Sequence, residues 1–86
     1  MPTVLVFHEV DDVDHWLAST NRADFFAPRG ISTRAFRDPG DSGRVGLLVE
    51  TPDLATWEAS LQTPEAAEAM RADGVRPETI VQLVEG

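Results

Sequence analysis

Two histidines stand eight residues into the chain and seven further on, within an acidic run: His8-Glu9-Val10-Asp11-Asp12-Val13-Asp14-His15-Trp16. An imidazole is the side chain best suited to take a proton near neutral pH, because its ordinary pKa lies close to that pH. His8 is the stronger candidate, since it falls near the end of a strand where a side chain can face a pocket mouth. Its bland alternative is a hydrogen bond that ties the strand end to the following helix. Ligand spacing alone is a weak sign of metal, and helix capping already accounts for the aspartates. No metal site is therefore expected among His8, Glu9, Asp11, Asp12, Asp14 and His15.

A second set of residues suits binding. Trp16 and Trp57 fall on the apolar stripes of two helices, with Phe25, Phe26, Phe36 and Met70 as further wall material. Core packing is the default for such residues. If a cavity exists, these rings would line it and suit a flat aromatic ligand. Arg34 and Arg37 point to opposite faces of one strand. Either could hold an enolate, phenolate or carboxylate, or pair with surface acids.

Composition removes several chemistries. All seven basic residues are arginine, so the lysine Schiff base and the phosphate-loop lysine are excluded. Cysteine and tyrosine are absent, which excludes disulfides, thiolate nucleophiles and phenolic acids. No nucleophile elbow or dinucleotide fingerprint occurs. A formal charge of −8 opposes nucleic acid and anionic membranes as partners. The longest apolar runs, such as Val4-Leu5-Val6-Phe7, are far below the ~20 residues of a membrane span. The start, Met1-Pro2-Thr3, carries neither a basic segment nor an apolar signal region, and a cytoplasmic location is expected.

The elements that must position these groups follow in a clear order, and residues 1–86 read as one domain. Thr3–Glu9 alternates Val4, Val6 and His8 against Leu5, Phe7 and Glu9, a strand apolar on both faces. Asp11 or Asp12 caps a helix expected to run on to about Phe26 and to stop at Ala27-Pro28-Arg29-Gly30. Ile31–Arg37 is the next strand. Asp38-Pro39-Gly40-Asp41-Ser42-Gly43 is turn chemistry, and Arg44–Glu50 a further strand. Gly46 within it suggests close approach of another group. Thr51 caps a helix through Leu54, Trp57 and Leu61, with Pro52 at its first position. Pro64 breaks that helix from the piece carrying Ala66, Ala67, Ala69 and Met70. Gly74 ends it, and Glu78–Glu85 is the last strand.

This order predicts an α+β, ferredoxin-like βαββαβ chain with a four-stranded antiparallel sheet and helices on one face. The bare face covers roughly 350 Å² in projection and is apolar. Apolar patches of a few hundred Å² commonly mark interfaces, so a homodimer through the sheet face is expected.

Two segments then carry a resemblance. His8 through Trp16 fits H-x-V-x-D-x-x-x-W at a strand-to-helix junction, and Met70 through Val75 fits M-x-x-x-G-V before the last strand. Together they resemble the dimeric α+β-barrel superfamily, near its antibiotic-biosynthesis monooxygenase-like and polyketide-cyclase-like branches, over the whole chain. The resemblance implies an apolar or aromatic small molecule held between sheet and helices. It also implies oxygenase chemistry without metal or flavin, in which the substrate supplies the carbanion that meets oxygen. Haem degradation, which in this superfamily uses an Asn, a Trp and a late His, is disfavoured because no histidine follows His15.

Two functions fit. One is a cofactor-independent enzyme that oxidises, cyclises or isomerises an aromatic or polyketide-like compound. In it His8 is the base, an arginine holds the anion, and Trp16, Phe25, Phe26, Phe36, Trp57 and Met70 form walls. The other is a non-catalytic dimeric ligand-binding or accessory module. The first calls for a cavity with a polar group converging inside it; the second calls for a filled core with His8 bonded to backbone.

Overall fold

A computed structural model describes residues 1–40 and 42–86. Asp41, within the turn expected after Arg37, lies outside the described residues. The elements are strand β1 (Thr3–Val10), helices α1 (Val13–Ala18) and α2 (Asn21–Phe26), a short 3₁₀ turn (Ala27–Arg29), strands β2 (Ser32–Arg37) and β3 (Arg44–Glu50), helices α3 (Leu54–Leu61) and α4 (Pro64–Ala72), and strand β4 (Val75–Val84). The strands form one antiparallel sheet in the order β2-β3-β1-β4. This is the expected ferredoxin-like α+β arrangement, with the first and third strands at its centre.

The alternation read from the sequence decides which face meets the helices. Val4, Val6, His8 and Val10 of β1 are buried, as are Val45, Leu47 and Val49 of β3. The apolar ones pack with Trp16, Phe26, Ile31 and Trp57 in a single cluster. Each fully buried side chain of this size is worth about 1.5–3 kcal/mol in transfer free energy. On the opposite face Leu5, Phe7, Phe36, Val81 and Leu83 are each 38–54% exposed. Register explains the set: Phe7 sits between Gly46 and Val81, and Leu5 between Leu48 and Leu83. A Cβ built on Gly46 would lie 3.5 Å from the Phe7 ring, an ordinary van der Waals contact, so the close approach expected from a glycine in this strand does not require one here.

Several local expectations are corrected. The first helix does not run unbroken to Phe26. Ser19 is extended, its hydroxyl accepts from Asn21 N–H at 3.1 Å, and the chain restarts as α2. Hydroxyls compete with the helix ladder for backbone groups, and Ser19-Thr20-Asn21 concentrates such side chains. Asp53, not Thr51, caps α3, accepting from Thr56 N–H at 2.6 Å, and Pro52 precedes the helix. Thr51 is fully buried and donates instead to the Asp53 carbonyl at 2.9 Å. The break at Pro64 does occur, with Thr63 capping α4 and Pro64 in its first turn.

The last strand begins at Val75, three residues earlier than Glu78, and it contains a bulge. Phe7 pairs with Val81, but Glu9 pairs with Arg76. Two steps along β1 therefore face five along β4. Pro77, which cannot donate a ladder bond, is tolerated because β4 is an edge strand and the bulge absorbs it. Thr79 closes the excursion: its hydroxyl accepts from Glu9 N–H at 2.8 Å and donates to the Arg76 carbonyl at 2.7 Å. The residue left opposite the bulge is His8. Gly74 turns the chain from α4 into β4 with φ +74°, and its carbonyl accepts from Asp11 N–H at 3.0 Å.

Candidate functional site: an apolar cavity with one polar corner

Between the sheet and the helices lies a cavity of about 250 Å³. Val6, Leu47 and Ile80 form its floor from the strands. Phe25, Phe26 and Trp57 supply aromatic wall, and Leu61, Ala69 and Met70 close it from α3 and α4. The aromatic wall is continuous: Phe25 meets Phe26 edge to face at 5.0 Å, and Phe26 lies tilted on Trp57 at 5.5 Å. The Trp57 indole N–H donates to Gln82 Oε1 at 2.8 Å, which fixes the ring against β4.

His8 lines the same cavity and is buried, with 6% exposure. Its imidazole stands edge-on to Trp16, ring centroids 5.5 Å apart. Among the described residues nothing hydrogen-bonds to Nδ1. Burial lowers the imidazole pKa, since the low-dielectric surroundings disfavour the charged form, and the Arg22 charge lowers it further. The Glu9 backbone pulls the other way, yet no bond of acceptable geometry forms. On balance the surroundings favour the neutral imidazole.

Three more polar side chains complete this corner, and sequence reasoning missed all of them. Arg22 packs its guanidinium over the Trp16 ring, 4.2 Å from the centroid, and donates through Nη1 to the Trp16 carbonyl at 2.9 Å. Asp73 lies 3.7 Å from Arg22 and is almost wholly buried. Asn21 donates through Nδ2 to Asp73 Oδ1 at 3.0 Å. The break at Ser19 produces this grouping, because it redirects α2 so that its first turn meets the end of α4. The signal available in the sequence was the run Ser19-Thr20-Asn21 inside a supposed helix.

The sequence-predicted residues divide cleanly. The structure brings His8, Trp16, Phe25, Phe26, Trp57 and Met70 together around one cavity. It does not bring Arg34, Phe36 or Arg37 there. Arg34 and Phe36 pair with Leu48 and Gly46 and share the open face, where the Arg34 guanidinium lies 5.6 Å from the Phe36 ring centroid. Arg37 pairs with Val45 at the exposed end of β2. Phe36 and Arg37 help line a shallower cleft that shares only His8 with the cavity. The arginine at the cavity comes from α2 instead. His15 is used structurally, its Nε2 2.9 Å from the Ala72 carbonyl. Among the described residues, no three His, Asp or Glu side chains gather as metal ligands would. No helix is long and apolar enough to cross a membrane among those residues.

The two sequence segments that carried the resemblance meet at this site. His8 and Trp16 touch, Val10 is buried and Asp12 caps α1 by accepting from His15 N–H at 3.1 Å. Met70 and Val75 line the cavity, with Gly74 making the turn between them.

At the level of sequence, no family model matches the chain and no curated protein matches it. Solved structures do. A crystal structure described as an antibiotic biosynthesis monooxygenase matches 100% of this chain and 97% of its own, at 13% identity and a TM-score of 0.67. A protein of Nitrosomonas europaea bearing that name as a provisional assignment matches over 100% and 97%, at 16% identity and a TM-score of 0.69. A dabb family protein of Mesorhizobium loti with a ferredoxin-like fold matches over 99% and 95%, at 14% identity and a TM-score of 0.54. Along its whole length this chain therefore shares the ferredoxin-like fold of the antibiotic biosynthesis monooxygenase-like and dabb proteins.

Proposed function

We propose that the cavity binds an apolar or aromatic small molecule and that His8 acts there as general base. The observation that carries this reading is the buried, unpartnered Nδ1 of His8 in a cavity whose walls are otherwise largely hydrocarbon. Buried polar groups without partners are uncommon and call for an explanation. A substrate C–H or O–H proton supplies one. The names borne by the structural neighbours point the same way.

Proton removal from a carbon beside a carbonyl, or from a phenol, leaves an enolate or phenolate, and the proton passes to His8. Isomerisation returns that proton at another carbon. Cyclisation lets the carbanion attack a carbonyl of the same molecule. Oxidation needs dioxygen as the electron acceptor. All three share the first step, and none asks the protein for a redox group.

The reading includes a homodimer through the open sheet face. The patch formed by Leu5, Phe7, Phe36, Val81 and Leu83 supports it, because a monomer with such a face would leave it in water.

The first step can be tested without the natural substrate. 2-Tetralone is a flat aromatic ketone with acidic α protons. In deuterium oxide, wild-type protein should exchange those protons faster than buffer, followed by NMR, and His8→Gln should lose the acceleration. Binding of 2-tetralone with no exchange above buffer would remove His8 as a base and leave a ligand-binding module.

A further inference from the structure

The polar corner has a second unfinished feature beside His8. Arg22 is largely removed from solvent, its side chain 15% exposed. A guanidinium carries five N–H donors, yet among the described residues Arg22 makes one hydrogen bond, through Nη1 to the Trp16 carbonyl. Asp73 balances the charge from 3.7 Å, beyond hydrogen-bond length, while its Oδ1 accepts from Asn21. Asp73 and Asn21 thus hold the guanidinium in place without using up its donors. Stacking on Trp16 fixes the plane of the fork. Such a pre-set fork is the arrangement that recognises a carboxylate or a delocalised oxyanion.

Resting on the reading of the cavity as a ligand site, we infer that Arg22 is the specificity residue of this protein. It selects an organic anion, an aromatic carboxylate or a phenolate or enolate, whose oxygen sits at the guanidinium. The hydrocarbon body of the ligand lies against Phe26, Trp57, Leu61 and Met70. The arrangement has a chemical consequence. A proton removed by His8 leaves negative charge on oxygen, and Arg22, reaching the same cavity, is the group to stabilise it. Arginine suits this better than lysine, because its planar fork stays charged in a site that disfavours charge.

A matched pair of probes tests the inference by calorimetric titration at pH 7.5: 2-naphthoate, and 2-naphthalenemethanol, which keeps the ring and replaces the carboxylate by a neutral alcohol. Wild-type protein should bind the carboxylate at least about tenfold more tightly than the alcohol, in keeping with a charge-assisted bond. In Arg22→Gln the ratio should fall to within about threefold. That variant leaves Asp73 buried without its cation, so Arg22→Gln/Asp73→Asn, which removes both charges, is the companion, and the ratio should collapse there too. Circular dichroism on both variants confirms that the fold survives. Equal affinity of wild type for the two probes, or a preference that persists in both variants, overturns the role of Arg22 while the cavity remains a ligand site. Failure of wild type to bind either probe overturns the ligand site and this inference together.

Discussion

His8 and Trp16 meet edge to face, their ring planes 79° apart, across the junction between β1 and α1. The contact holds the imidazole at the cavity and contributes packing of about 0.5–1.5 kcal/mol. It leaves Nδ1 unpaired among the described residues. The cavity's imidazole is thus held by an aromatic contact.

The first consequence concerns stability. An unpaired buried polar atom costs about 1–3 kcal/mol. His8→Leu removes it and keeps most of the volume. This variant should be more stable than wild type by about 1 kcal/mol, raising the melting temperature by about 4–8 °C for a domain of this size. Calorimetry decides it, and a lower melting temperature would mean that the imidazole is satisfied in solution. The same variant should be inactive in proton exchange.

Activity is the second. His8→Gln and His8→Ala should each lower turnover by about two orders of magnitude or more, the usual contribution of a general base. Unchanged turnover in a folded variant would end the assignment.

The third prediction follows from the depressed pKa of His8. The unfolded imidazole takes a proton near its ordinary value of about 6.5, whereas the folded one, dried by burial and beside Arg22, does so at lower pH. Between those two values the unfolded chain binds more protons, so acid favours unfolding. Stability from this group is complete above the ordinary value. It declines as pH falls below it and levels off under the folded pKa. Urea titrations at pH 7.5, 6.5 and 5.5 should show the decline, and His8→Gln should lessen it. Arg22→Gln should move the folded pKa upward, because the Arg22 charge is one of its causes.

The fourth concerns the open face. Phe7 is 47% exposed at the centre of that patch, over Gly46 and beside Val81. Wild-type protein at micromolar concentration should sediment as a dimer, and Phe7→Glu as a folded monomer, since a buried unpaired carboxylate is costly. A wild-type chain that sediments alone would overturn the pairing.

Asp73 carries the fifth. It is 3% exposed and compensates Arg22. Asp73→Ala should cost about 3–5 kcal/mol, the usual penalty for stranding a buried charge. Asp73→Asn in the Arg22→Gln background should recover part of it. Thermal denaturation of the three proteins checks both statements.

Much of the scaffold was legible because it depends on local chemistry. Alternation placed Val4, Val6 and His8 on one face, Gly30 took its left-handed turn at φ +74°, and Pro64 divided the helix. The apolar half of the site followed, since Trp16, Trp57, Phe26 and Met70 lie at helical spacings that turn inward. The polar half was not legible. Arg22, Asn21 and Asp73 converge because Ser19 breaks the helix, which has a local signal in Ser19-Thr20-Asn21, and because α2 then meets α4, which is a tertiary outcome. Arg34 and Arg37 are both strand arginines, but register sends Arg34 to the open face and leaves Arg37 paired with Val45 at the exposed end of β2. The β4 bulge was hidden for a similar reason: it depends on the edge position of β4, which accommodates Pro77.

Both tryptophans of the chain, Trp16 and Trp57, line the cavity, and tyrosine is absent. All useful ultraviolet emission of the molecule therefore originates in the walls of one chamber. An aromatic guest entering it would dim or shift that light without any label, so the protein carries its own optical gauge of occupancy.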